Sequence, residues 1–398
     1  MANRASDSPY FTVEHDAFRA EVRRFLDAEV APFADTWEAQ GCVPRETWRA
    51  FGNRGLLGLH YPLEVGGAGR DFFHSVVLFE ELGRTGYAGV RGALSVHAYM
   101  ATHYLHSAGS AGLKERYLVP AIRGEKVAAL GITEPGAGSD LGRIETTAVR
   151  DGDDYVVDGT KTFITNGSIA DFVTLLVRTS APRPEVKRGA TGLSLLVVDR
   201  GVDGMSATRQ KKVGWHSSDA AELRFRGARV PAANLIGKQD YGFMYLMQGF
   251  QLERLVAATL AVGGAERCLG ETSRHLVRRH AFGASLGKLQ AVRHRVADLA
   301  TDLEAARQLV YHAAWAHQRS TLTAATCSMA KLKATEVAAR IAHECLQLHG
   351  ASGYLDDSAV ARAYRDAPVG TVAGGASEVM RDIIAQALLD ERPGSDDA

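Results

Sequence analysis

The chain has 398 residues, 46% apolar and 23% charged. Lys plus Arg and Asp plus Glu each number 46, so the formal net charge is zero. That balance gives no long-range attraction to nucleic acid or an anionic membrane surface. The length exceeds what one core usually serves, so two or three packed subregions are expected.

In chain order, residues 1–128 read as a helical domain. Phe18, Val22, Phe25 and Leu26 recur at helical spacing, as do Val76, Val77, Phe79 and Leu82. Gly52-Asn53-Arg54-Gly55 and Gly66-Gly67-Ala68-Gly69 mark breaks between helices. Over residues 129–240 the texture becomes strand-like. Tyr155-Val156-Val157 and Thr162-Phe163-Ile164 flank a turn expected at Asp158-Gly159. Phe172 to Val177 and Leu193 to Val198 are short apolar runs, and Leu223-Arg224-Phe225-Arg226 alternates. With no long helices between them, these strands predict an antiparallel barrel or sandwich. Helices return over residues 241–398. Leu289, Val292, Val296, Leu299, Leu303, Ala306 and Val310 form one apolar stripe suited to a four-helix bundle. The fold class expected is α+β.

The cysteines, Cys42, Cys268, Cys327 and Cys345, are widely spaced and form no CxxC pair, which suits a reducing, cytoplasmic setting. The histidines show no ligand spacing, so no metal is expected. No stretch reads as a membrane span. Arg4 is accompanied by Asp7, Glu14 and Asp16 without an apolar run, so no signal or transit peptide is expected. The tail Asp390–Asp397 reads as a frayed, solvated end.

Several segments carry candidate chemistry. Thr133-Glu134-Pro135-Gly136-Ala137-Gly138-Ser139-Asp140 follows an apolar run, and its small residues let backbone approach a flat or phosphorylated ligand. It lacks the third glycine and the helix of a dinucleotide fingerprint, and a plain loop also accounts for it. In Lys161 to Gly167, Phe163 suits stacking and Thr165 hydrogen bonding to a ring edge; an ordinary strand end accounts for it equally. Glu253-Arg254 stands in an apolar helical segment, where a carboxyl has a raised pKa and serves as a base; a helix-surface charge is the bland alternative. Arg279-His280-Ala281-Phe282-Gly283 is expected to start a bundle helix, and Gln347 to Tyr354 to end one with glycine as cap.

As an ordered set, these segments resemble the acyl-CoA dehydrogenase family over nearly the whole chain. The matches are Ile132 to Asp140, Lys161 to Gly167, Gly214-Trp215-His216-Ser217-Ser218-Asp219 with Glu222, Val230-Pro231, Arg279-x-x-Phe282-Gly283 with Gln290, and Arg365-Asp366-Ala367. The resemblance implies FAD held between the β domain and the bundle, in a homotetramer. It implies that Leu130, Ile132, Thr133, Gly138 and Ser139 line the flavin and thioester, and that Phe163 and Thr165 face the ring. Arg279, Phe282 and Gln290 would touch FAD across a subunit boundary. Gln347, Gly350 and Ala351 would meet the adenosine end. Ala376 and Glu378 match a further cofactor contact, although Ala376 lacks the family's hydroxyl.

Many relatives carry the catalytic glutamate where this chain has Gly374. A branch that includes isovaleryl-CoA and long-chain dehydrogenases carries it directly before an arginine on the bundle helix, where Glu253-Arg254 stands. The resemblance thus implies Glu253 as base, with the Gly374 backbone N–H on the thioester carbonyl. Ser139, Gln251, Arg254, Tyr99 and Ala373 fall on the substrate side. Gln251 replaces a common aspartate, which leaves CoA and acyl carrier protein both open. Small Ala373 and Gly374, with Tyr99 toward the acyl channel, favour a short or branched acyl group. The implied product is a trans-2-enoyl thioester, with an electron-transfer flavoprotein as acceptor. Two alternatives stay open: an oxygen-using flavin oxidase or monooxygenase, and a catalytically silent binding relative.

Overall fold

A computed structural model describes residues 8–182 and 190–389. Arg4, Asp7 and the tail Asp390–Asp397 lie outside the described residues. The chain folds as two units, one of Phe18–Leu78 with Tyr87–Glu253, the other of Met1–Ala17, Phe79–Gly86 and Arg254–Ala398.

Helices α1 (Val13–Glu29), α2 (Ala34–Gln40), α3 (Arg45–Asn53), α4 (Phe72–Arg84), α5 (Ala88–Ser95), α6 (His103–Ala108), α7 (Ala111–Leu113) and α8 (Val119–Ile122) come first. A π-helical stretch, Val96–Ala101, joins α5 to α6. The apolar spacing read around Phe18 lies on α1, and that around Val76 on α4. Strands follow: β1 (Ala128–Gly131), β2 (Thr147–Asp151), β3 (Asp154–Thr165), β4 (Phe172–Arg178), β5 (Leu193–Asp199), β6 (Met205–Arg209), β7 (Ala220–Pro231) and β8 (Leu235–Ile236). They form one sheet in the order β6-β7-β3-β2-β4-β5-β8, with β1 beside β4.

The apolar runs of β4 and β5 are continuous because both faces of these strands are buried. Phe172, Leu176, Leu195 and Val197 pack with Tyr104, Leu105, Leu118 and Ile122 from the helices. Val173, Leu175, Leu196 and Val198 pack instead with Tyr155, Val157, Leu223 and Phe225 of β3 and β7. The sheet therefore folds over itself on one side and carries helices on the other. Antiparallel pairing predominates, but β4 pairs parallel with both β1 and β2.

Asp158-Gly159 is not a turn. It is a bulge inside β3, which runs on through it while pairing with β7; the register shifts between Val157 and Gly159. Gly159 has φ +147°, and a Cβ there would lie 2.5 Å from Thr146 Oγ1. Only glycine fits both constraints. The real hairpin turn precedes it, where Gly152 has φ +61° between β2 and β3.

The later elements are α9 (Gly242–Arg278), a hairpin of β9 (His280–Ala281) and β10 (Ala284–Ser285), α10 (Gln290–Gln318), α11 (Ala324–His349), α12 (Ala359–Asp366) and α13 (Ser377–Leu389). In the second unit α11 packs against α10, α12 and α13. Leu299, Leu303, Ala306 and Val310 of the α10 stripe are buried, whereas Val292 and Val296 are only half-buried. Arg279 to Gly283 does not start a helix as expected. Phe282 and Gly283 both have positive φ, +54° and +77°, the signature of a type I′ hairpin turn, and Gln290 opens α10 instead.

Candidate active site

Within the first unit, the strand-to-loop segment after β1 and the end of β3 come together. The Thr162 N–H donates to the Thr133 carbonyl at 2.8 Å. Lys161, fully buried, donates from Nζ to the Ile132 carbonyl at 3.0 Å and to Glu134 Oε1 at 2.8 Å. Glu134 also accepts the backbone N–H groups of Glu145 and Thr146. Burial works to raise the Glu134 carboxyl, but Lys161 and these hydrogen bonds outweigh it and hold the group below its ordinary range. Burial lowers Lys161 to about 8 against the pull of Glu134, so both are ionised at neutral pH. This buried pair fixes the loop that carries Thr133, Gly138 and Ser139.

Above that anchor β3 bulges again, between Lys161 and Ile164. The bulge places Phe163 at φ +60° with 69% of its surface exposed. Gln210 holds it there: Oε1 accepts the Phe163 N–H at 3.0 Å and Nε2 donates to Thr162 Oγ1 at 2.9 Å. A left-handed bulky residue costs about 1–3 kcal/mol, and an exposed phenyl returns none of it within this chain. Added Cβ atoms on Gly136 or Gly138 would meet nothing within 4 Å. Internal packing therefore does not require these glycines, and their bare backbone leaves room for a ligand to approach the loop. An exposed ring beside a bare, glycine-lined loop fits a flat, phosphate-bearing cofactor such as FAD.

Leu130, Ile132, Thr133 and Thr165 are half-buried around this loop, and Gly138 and Ser139 are exposed. Tyr99 is buried on the π-helical stretch; its hydroxyl donates to Ser75 Oγ at 2.8 Å and its ring stacks on His60 at 4.4 Å.

Gln251, Glu253 and Arg254 are carried by α9 where the helix is buried nearly all round, from Leu252 to Ala265. An acid in such a segment requires a partner. The Tyr104 hydroxyl donates to Glu253 Oε1 at 2.7 Å, and both side chains are buried. Burial, then the Glu253 charge, raises the Tyr104 phenol well above its ordinary value, so it remains a donor. Sequence reasoning missed Tyr104, as well as the anchoring roles of Lys161, Glu134 and Gln210.

In the second unit, Ala373, Gly374, Gly375 and Ala376 form the turn before α13. Gly374 and Gly375 have φ +65° and +99°, and a Cβ on Gly375 would lie 2.7 Å from Met380 Cε. Lys331 of α11 donates from Nζ to the Gly375 carbonyl, pinning the turn. Arg254 belongs to the same unit, and its charge adds to burial in lowering Lys331 to about 8. Ser377, next to the hydroxyl-less Ala376, is buried with its Oγ lacking a hydrogen-bond partner among the described residues. Glu378, Gln347, Gly350, Ala351, Arg279 and Gln290 are exposed. Phe282, at the hairpin tip, is 95% exposed.

Family profiles described as acyl-CoA dehydrogenase N-terminal, middle and C-terminal domains match residues 12–125, 129–228 and 240–389. A mitochondrial long-chain specific acyl-CoA dehydrogenase of Sus scrofa is 37% identical over 383 residues, covering 96% of this chain and 88% of that protein. The crystal structure of an acyl-CoA dehydrogenase from Geobacillus kaustophilus superposes with a TM-score of 0.92 at 41% identity, covering 96% of this chain and all of the other. A prolyl acyl carrier protein oxidase superposes at 0.88 with 28% identity, covering 95% and 100%.

Proposed function

This chain belongs to the acyl-CoA dehydrogenase family of FAD-dependent oxidoreductases acting on CH–CH bonds, and on that premise we propose that it dehydrogenates the Cα–Cβ bond of an acyl thioester, with Glu253 as the base. The observation that carries the proposal is a glutamate buried in an apolar helix and engaged by a phenol. Such an acid keeps water away from the proton it takes.

FAD, when bound, supplies the acceptor for the β-hydrogen as hydride. The chain's own groups do the rest. Phe163 and Thr165 would flank the ring, Thr133, Gly138 and Ser139 would lie along the thioester side, Gln347, Gly350 and Ala351 would meet the adenosine end, and Ala376 and Glu378 would make a further cofactor contact. The Gly374 N–H would donate to the thioester carbonyl, stabilising the enolate that develops as the α-proton leaves. Glycine at that position keeps the left-handed turn and still provides the N–H. Glu253 accepts the α-proton, a contribution of about 10²–10⁴-fold for a positioned base.

Exposed Phe282 and the half-buried Val292 and Val296 support a homotetramer in which Arg279, Phe282 and Gln290 reach a neighbouring subunit's cofactor. Small Ala373 and Gly374 support a short or branched acyl group, and Gln251 in place of an aspartate leaves CoA and an acyl carrier protein both open as the carrier. An electron-transfer flavoprotein is the acceptor this reading assigns.

Anaerobic bleaching of the flavin tests the reading, with butyryl-, isovaleryl- and palmitoyl-CoA and the matching acyl carrier proteins as the panel. Bleaching by a thioester that Glu253→Gln abolishes is the expected result; bleaching that survives the substitution removes Glu253 as base. Likeness to the carrier-protein oxidase favours one second reading, in which oxygen reoxidises the flavin. Fast reoxidation by air with peroxide release would select it.

A further inference from the structure

Tyr104 lies 149 residues before Glu253 in the chain, yet its hydroxyl meets the carboxylate at 2.7 Å in the buried core of the first unit. Space for this contact is made by a glycine. Gly249 sits one helical turn before Glu253 on the same face of α9, and a Cβ there would lie 2.6 Å from Tyr104 Oη. Any larger residue would push the phenol off the acid. The carboxylate, its donor and the gap that admits the donor thus form one built unit.

We propose that Tyr104 is a positioning residue for the base: its hydroxyl, admitted by Gly249, holds the Glu253 carboxylate oriented and ionised. The proposal rests on the reading of Glu253 as base. Burial alone would push a carboxyl toward its neutral, useless form, and a hydrogen bond to the charged form opposes that. A phenol does so without adding a cation that would also suppress the basicity needed for an α-proton. Titratable or charged groups near the pair include His103, edge-on to Tyr104 at 5.5 Å, Tyr61, Tyr117 and Tyr245 of the same core cluster, and Arg254, the next residue on α9.

The test uses the FAD-loaded protein and reads Glu253 in two ways. Infrared titration of its carboxyl, isolated by subtracting Glu253→Gln, needs no substrate. The pH profile of anaerobic flavin reduction by the butyryl-, isovaleryl- and palmitoyl-CoA panel reads the same group in action. Tyr104→Phe is expected to move both transitions up by about one pH unit, the size of a hydrogen bond to a charged group. Replacing Tyr104 by 3-fluorotyrosine, a stronger donor of nearly the same size, is expected to move them down, and it serves if the phenylalanine variant fails to fold. A merely structural tyrosine lowers stability and plateau while the Glu253 titration stays in place, and that result overturns the proposal. Flavin bleaching that survives Glu253→Gln, by contrast, strikes the base assignment, and the infrared titration still decides whether Tyr104 controls the acid.

Discussion

Two buried glutamates in the same unit have opposite surroundings. Glu134 meets a lysine ammonium and two backbone amides; Glu253 meets a phenol on an apolar helix. The first is held firmly ionised and works as an anchor for the 133–140 loop. The second lies buried on an apolar helix with a phenol as donor, the setting that the reading of Glu253 as base assigns to the group that takes a proton. Burial does not by itself mark a catalytic acid; the donors around it decide.

The comparison breaks if the roles are reversed by mutation. Glu253→Gln should cost about 10²–10⁴-fold in flavin reduction with FAD and fold retained, whereas Glu134→Gln should spare the chemical step in whatever protein folds. The same Glu134→Gln should cost about 3–5 kcal/mol of stability, because it strands the Lys161 charge in the core; urea unfolding reads this, and Glu134→Gln with Lys161→Met should recover part of it. The pH dependence sharpens the point. Glu134 has a folded-state pKa below its ordinary 4.5, so its contribution is present above that value and lost as pH falls through the lower, folded one. Acid unfolding of Glu134→Gln should lack this part of the slope.

Smaller effects test the two bulges of β3. Gly159→Ala should cost about 1–3 kcal/mol in thermal or urea unfolding, since it combines a disfavoured backbone with a collision at Thr146. Phe163→Ala should leave stability nearly unchanged and weaken FAD binding by about 3–10-fold, the worth of one aromatic contact, read by flavin release on dilution.

The architecture was legible in the sequence because its apolar spacing changes with the local structure: helical around Phe18 and Leu299, continuous where β4 and β5 are covered on both faces. The bulge at Asp158-Gly159 was misread because Asp-Gly is also a hairpin signal, and only the Thr146 contact across the sheet distinguishes the two. Arg279 to Gly283 was misread for a related reason, since the left-handed Phe282 that makes the turn is a residue type that seldom adopts it. Glu253 was legible as a charge in an apolar helix. Tyr104 was not, because nothing local to α6 indicates a partner so far along the chain. The gap that admits it is a single glycine in a helix, which has many bland explanations.

The most direct test of Glu253 as base separates proton removal from oxidation. 3,3-Dimethylbutyryl-CoA has α-hydrogens but none at Cβ, so it can lose a proton without yielding a hydride. Proton NMR of this thioester with the FAD-loaded protein in deuterium oxide should show exchange at Cα in the wild type and none above background with Glu253→Gln. Exchange that continues at the wild-type rate in the variant would contradict the account and place the base on another residue.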